Sequence, residues 1–242
     1  MNKLTLLLPF AFVAHLTIAQ SNVPVGLDAE RNLAEIGSNN TGAIIRTYDN
    51  RYEGVKGTPF FNEEWKKSTV TTGNKLIANM EIKYNAYENN ILYRNTKGEQ
   101  FVLEPNKIES FVIEDNKTMQ EYIFRRLPSL AKLNPKFANQ FVLMLHDGNS
   151  TQLVMVPEKK LIKADFKGGY NAGKKYDELV DAQTFYLIGP NNKVEKVKLN
   201  KKSLLKALPN KQEKVQEYVS LANIDLNTGE GWAKALTFYE SL

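Results

Sequence analysis

Two histidines, His15 and His146, and no cysteine narrow the chemistry open to this chain of 242 residues. A Ser-His-Asp relay moves its proton through one imidazole, and His15 lies in an apolar leader, so His146 is the candidate. It stands beside Asp147 at the end of an expected hairpin. Neighbours on a strand point to opposite faces, so this pair reads as a turn. A zinc site takes three or four ligands, usually His or Cys. The residues therefore offer no catalytic, cofactor-binding or metal set through histidine or cysteine.

Carboxylates cluster at Glu63-Glu64, Glu114-Asp115, and Asp177-Glu178 with Asp181. Glycosidic cleavage needs two carboxyls facing each other across a cleft, and nothing in this spacing brings such a pair together. Asp147-Gly148-Asn149 lacks the further oxygen ligands of a calcium loop. Gly168, Gly169 and Gly173 lead into Lys174-Lys175-Tyr176, where a phosphate cradle would carry Lys-Ser/Thr and open a helix. What remains is a glycine-rich surface loop.

That loop sits in a basic segment. From Lys159 to Lys214 there are 14 lysines against 6 acids, while the whole chain carries +5. A solvated lysine face is the plainest reading. The sharper one is a diffuse anion-binding site built from Lys163, Lys167, Lys174 and Lys175. Phe166, Tyr170 and Tyr176 interleave with those lysines, which is the composition that stacks bases and neutralises phosphate. The chain's address argues against nucleic acid, however, and favours an envelope protein, an anionic lipid or an anionic glycan.

The address is in the first twenty residues. Lys3 is followed by an apolar run from Leu4 to Ala14, and Thr17-Ile18-Ala19 places small residues before a cut at Gln20. This is the layout of a secretory signal peptide. Its apolar run is shorter than the ~20 residues that span a bilayer. Without cysteine an exported chain has no disulfide and no thiol to carry a lipid. Export to the periplasm or beyond, without a cysteine-linked lipid anchor, is the expected localisation, with no transmembrane segment in the mature chain. Asn39, Asn116 and Asn149 head Asn-x-Ser/Thr triplets and read as turn residues in a bacterial protein.

The elements that would position any site read as α+β: a mainly antiparallel β meander, curved or barrel-like, with a helical C-terminal tail. Residues 1–19 are the leader and 20–50 a loosely ordered arm with a short helix at Asp28 to Ile36. Residues 51–136 read as the β meander. Residues 137–242 add hairpins and helices, in the same domain or a second one. Leu76, Ala78, Met80, Ile82 and Tyr84 occupy every second position, which predicts one buried strand face with Ile77 on the other. Turns are expected at 88–90, 95–98 and 105–106. Leu127 to Leu133 suits a short helix. Asp147-Gly148 supplies the positive φ of a tight hairpin, and its arms, 140–145 and 152–156, are apolar enough to be covered on both faces. Lys159 to Phe166 fits either strand or helix. A further hairpin spans 184–199. Asn200, Asn210 (with Glu213) and Thr228 are expected helix caps. Trp232, Leu236, Tyr239 and Leu242 form the stripe that docks the last helix.

The segment Tyr52-Glu53-Gly54-Val55-Lys56-Gly57-Thr58-Pro59-Phe60-Phe61, with Trp65, Tyr84-Asn85 and Phe111, resembles a set of uncharacterised exported proteins of Bacteroidetes. The likeness covers residues 50–115 and, more loosely, the tail from Tyr186. It implies no activity and assigns no functional residue. The sequence thus predicts an exported, non-enzymatic binding or accessory protein of the cell envelope, whose curved sheet offers an apolar face to a ligand. A carboxylate-dependent envelope hydrolase and a structural subunit of an envelope assembly are the two other readings.

Overall fold

The computed structural model describes residues 44–46, 51–73, 75–165, 175–189, 193–208 and 210–242. The leader, the helix expected at Asp28 to Ile36, and Lys167 and Lys174 lie outside these residues. The described strands are β1 Ile44–Arg46, β2 Lys66–Thr72, β3 Lys75–Asn85, β4 Asn90–Arg94, β5 Gln100–Leu103, β6 Ser110–Asp115, β7 Gln120–Arg126, β8 Phe141–Asp147, β9 Gln152–Val156, β10 Lys159–Ile162, β11 Glu178–Asp181, β12 Thr184–Gly189 and β13 Lys193–Val197. Helices α1 Lys201–Ala207, α2 Gln212–Leu221 and α3 Gly229–Ser241 follow. The expected α+β architecture is present. Eleven strands form one curved antiparallel sheet in the order β1-β5-β4-β3-β2-β6-β7-β8-β9-β12-β13, and β10-β11 pair separately.

A short connection dictates the curvature. β5 and β6 are consecutive in the chain but lie four places apart in the sheet. In a flat sheet that is about 19 Å, at ~4.8 Å per strand. The link from Glu104 to Glu109 spends three residues on a 3-10 turn at Pro105–Lys107, which cuts its reach well below the ~3.3–3.6 Å per residue of extended chain. The sheet therefore curls, and β6 returns to pair with β2 from Ser68↔Ile113 to Thr71↔Ser110. The Arg126 guanidinium at the end of β7 donates to the Pro105 carbonyl and holds the link down. Inside the curl, Tyr84, Phe111, Phe124 and Phe141 are fully buried. Phe111 and Phe124 stack at 4.6 Å, and Tyr84 lies 5.3 Å from each. The concave face is filled by the protein's own rings.

Two bulges correct the expected strand faces. Ser68 opposes Met80 but Val70 opposes Ile77, so β3 carries one extra residue at Ala78-Asn79, where Asn79 takes a φ of 54°. Because side chains alternate with period two, one inserted residue exchanges the faces beyond it. Ile77 is therefore fully buried and Leu76 is 40% exposed, the reverse of the alternation read from the sequence. In β8, Met144 opposes Val154 but His146 opposes Leu153. The extra residue here is Leu145, and His146 shares a face with Leu153.

The second half of the sheet is covered on both sides, as its apolar arms predict. Val142, Val154, Val156, Tyr186 and Ile188 pack against Leu130 and Phe137. The segment carrying these two is a pair of 3-10 turns, Pro128–Lys132 and Pro135–Asn139, where a short α-helix was expected; Pro135 keeps Asn134 before it in an extended conformation, which separates the two turns. On the opposite face Leu153, Leu187 and Val197 meet Leu204, Val215, Trp232 and Leu236 from the three helices. Asn200 and Thr228 cap as expected, their side chains accepting from the Ser203 and Gly231 amides at 2.8 and 3.0 Å. Asn210 does not: α2 starts one residue later, with Lys211 at the cap position and no side-chain cap.

The last helix is also fastened by a polar latch. The Glu240 carboxylate accepts from the Asn149, Ser150 and Thr151 amides at 3.0, 3.1 and 2.7 Å, and from the Ser150 and Thr151 hydroxyls at 3.2 and 2.7 Å. Burial works against its ionisation, but these donors overcome that and pull it down to about 2. Gly148 is needed in this turn for a reason other than the one read from the sequence. Its φ is not among the positive values; instead a Cβ there would stand 2.2 Å from Glu240 Oε2.

Candidate ligand-binding surface

Three segments distant in sequence meet at one end of the sheet: residues 51–57, the β3–β4 turn, and the β10–β11 insertion. The turn is set by Asn85, which is fully buried. Its side-chain oxygen accepts from the Tyr87 and Glu88 amides at 3.1 and 3.0 Å, the local bonding that suits Asn to turns. The Pro59 carbonyl accepts from the Ala86 amide at 2.9 Å. Held this way, the Tyr87 ring points outward and is 40% exposed.

Residues 51–57 run alongside. Arg51 grips Glu88 with two parallel hydrogen bonds of 2.5 and 2.9 Å, and its guanidinium lies 5.5 Å from the Tyr52 ring. Tyr52 meets Tyr87 edge-on at 6.1 Å. Burial pushes the Tyr52 phenol up to about 12, with the neighbouring Glu88 adding to it. The chain then passes under β11. Lys56 donates its amide to Asp177 and accepts from the Leu179 amide at 2.9 and 2.8 Å. Gly57 follows with a φ of 83°, and a Cβ there would come within 2.3 Å of the Leu179 carbonyl, so only glycine fits this crossing.

The insertion completes the surface. Tyr176 is 46% exposed, with Lys56 Nζ 5.6 Å from its ring and 3.3 Å from Glu178. Lys163 pairs with Asp177 at 2.8 Å. The hydrogen bond to Asp177 raises the Lys163 ammonium, its charge adds to this, and Tyr87 gives a weaker pull the same way. Lys163 in turn holds Asp177 below the usual carboxylate range, helped by the Ala164 amide.

Of the four lysines predicted to bind an anion, Lys163 therefore stands in this cluster already matched by a carboxylate, and Lys175 is exposed beside Tyr176. Arg51, Tyr52, Lys56, Tyr87 and Glu88 were not predicted to join them. Their one signal was the Tyr52 to Phe61 motif with Tyr84-Asn85, whose glycines and proline turn out to bring the segments together.

The remaining candidates resolve into structural pairs. His146 is 9% exposed at its side chain, with Nε2 3.7 Å from Glu240 Oε1 and Nδ1 3.5 Å from Thr237 Oγ1. The nearby hydroxyls of Ser150 and Thr151 donate to Glu240, and the Thr237 hydroxyl donates to the Ala233 carbonyl at 2.9 Å. Asp147 instead pairs with Arg125 at 2.6 Å. Glu64 is held low by Lys117 and then Lys66. Asp115 is held low by the Lys117 amide, against the opposing effect of burial, with Lys66 assisting. Asp181 pairs with Lys159 at 2.7 Å. Glu64 and Asp115, held low in this way, stay ionised, the opposite of what a general acid needs. Among the described residues no group of three His, Asp or Glu side chains is placed to hold a metal ion, and no helix is long and apolar enough to cross a membrane.

Comparison with family models, curated proteins and solved structures finds no match to this chain.

Proposed function

We propose that this chain is an exported, non-enzymatic binding protein of the bacterial cell envelope, and that its ligand surface is the tyrosine-rich cluster at Tyr52, Tyr87 and Tyr176. One observation carries the reading. The chain uses a buried asparagine, a left-handed glycine and a separate two-stranded insertion to bring three remote segments together, and the product is two outward tyrosine rings set among fixed charged groups. Inside the curl, by contrast, Tyr84, Phe111, Phe124 and Phe141 are fully buried.

The leader supports export, and the absence of cysteine supports a fold that needs no oxidation. The hydrolase reading loses support from the ion pairs at Asp177, Glu178 and Asp181. The decisive experiment is a crosslinking capture from intact envelopes with the wild-type chain and a Tyr87→Ala/Tyr176→Ala variant, alongside N-terminal mass spectrometry of the native protein. The reading requires a mature start at Gln20 and a captured species that the variant loses. A retained Met1 in a cytosolic pool, or capture that ignores the two tyrosines, overturns it.

A further inference from the structure

The charge arrangement at the tyrosine cluster narrows the ligand class. Each of three cations lies against its own carboxylate: Arg51 on Glu88, Lys56 on Glu178 and Lys163 on Asp177. The basic segment looks like a polyanion site in sequence, but its Lys163, like Arg51 and Lys56 beside it, is folded against an acid. A sulfated or phosphorylated ligand would meet three carboxylates here and gain little steering from the field.

The same groups suit hydroxyls. A sugar hydroxyl donates to a carboxylate and accepts from an ammonium or guanidinium, so it can bond on both sides of a fixed ion pair. Arg51 and Glu88 hold each other through two parallel bonds, and Asp177 is fixed by Lys163 and the Ala164 amide. Such groups are ordered before any ligand arrives, which lowers the entropy cost of binding. Tyr87 and Tyr176 supply what the ion pairs lack. A tyrosine ring is a rigid, amphipathic contact surface with few torsions to freeze, and its face matches the apolar C–H face of a pyranose. Polar groups that fix orientation beside an apolar contact are the usual make-up of a small-ligand site.

We infer that the cluster of Tyr87, Tyr176 and the Arg51–Glu88 and Lys163–Asp177 pairs binds an uncharged glycan, through ring stacking and hydroxyl hydrogen bonds. This rests on the binding role proposed above and names its ligand.

The test is calorimetric titration of the whole chain with chitohexaose, cellohexaose and maltohexaose, and with heparin as the anionic comparison, each at low and high salt. At least one neutral hexasaccharide binds with an affinity that salt leaves unchanged. Tyr87→Ala and Tyr176→Ala each weaken it by about tenfold or more, equivalent to ~1.4 kcal/mol, while Tyr87→Phe stays close to wild type. Both tyrosines are exposed, so the variants keep the wild-type circular dichroism and thermal midpoint. Binding of heparin alone, falling with salt, overturns the inference in favour of an anionic ligand. Binding that survives both alanine variants overturns it as to place. Should no saccharide bind while envelope capture still depends on the two tyrosines, the glycan is wrong and the binding role stands.

Discussion

The Glu240 carboxylate of α3 occupies the space where a side chain at Gly148 would begin: a Cβ on Gly148 would lie 2.2 Å from Glu240 Oε2. The hairpin turn and the last helix are thus fitted to each other across nearly a hundred residues of chain. Gly148→Ala forces one of them to move, and loses charge-assisted hydrogen bonds of the kind worth about 1.5–3 kcal/mol each. We expect a destabilisation of about 2 kcal/mol in chemical denaturation. Glu240→Ala removes the obstacle, so the double variant should cost clearly less than the sum of the two singles. Additive effects would show that the close approach does not set the cost.

The same latch makes stability depend on acid. Glu240 titrates at about 2 when folded and near 4.3 in an unfolded chain. A depressed carboxyl stabilises above the unfolded value and loses that contribution as pH falls through the folded one. Between pH ~4.5 and ~2 the latch should therefore give up about 3 kcal/mol. Glu240→Gln is less stable at neutral pH and has a flatter profile over that window. Equal pH slopes for the variant and the wild type would contradict this.

The bulge in β3 reverses what alternation implies about two adjacent residues. Ile77 is fully buried and Leu76 is 40% exposed. Ile77→Ala should cost about 2–4 kcal/mol, and Leu76→Ala less than about 0.5 kcal/mol. Thermal unfolding of the pair separates the two registers directly. Asn79, at a φ of 54°, should accept glycine without loss, whereas Asn79→Val should destabilise because a β-branched residue resists the left-handed region.

Trp232 anchors the helical layer. It is fully buried, and its indole donates to the Leu226 carbonyl at 2.9 Å. Trp232→Ala should cost about 3–5 kcal/mol and raise amide exchange across α2 and α3 more than in β2 to β7. Uniform exchange across the whole sheet would show that the helices do not open as a unit.

What the sequence made legible follows the range of the forces involved. The alternation around Met80 to Tyr84, the caps at Asn200 and Thr228, and the doubly covered hairpin arms are local signals with local outcomes. Failures occurred where a distant group decided. The face of Ile77 depends on one inserted residue, and the role of Gly148 depends on Glu240. Asn210 had a capping-box partner, yet the cap position fell on the next residue, Lys211. For the candidate surface, Lys163 and Lys175 were visible as charges, but Asp177, the acid that pairs with Lys163, could not be matched to it from spacing. Tyr87 carried no signal of its own because the turn that aims it is held by Asn85 and by the distant Pro59 carbonyl.

Strand β2 sits in the interior of the sheet although it is nearly the first strand made. One of its edges is satisfied by β3 as soon as the hairpin closes. The other waits until β6 has emerged, about forty residues later. Throughout that interval a row of open backbone donors and acceptors faces outward from β2. Nascent chains halted before Ser110 are thus primed to recruit a foreign strand, so vectorial emergence and prompt delivery of β6 protect this molecule from self-association.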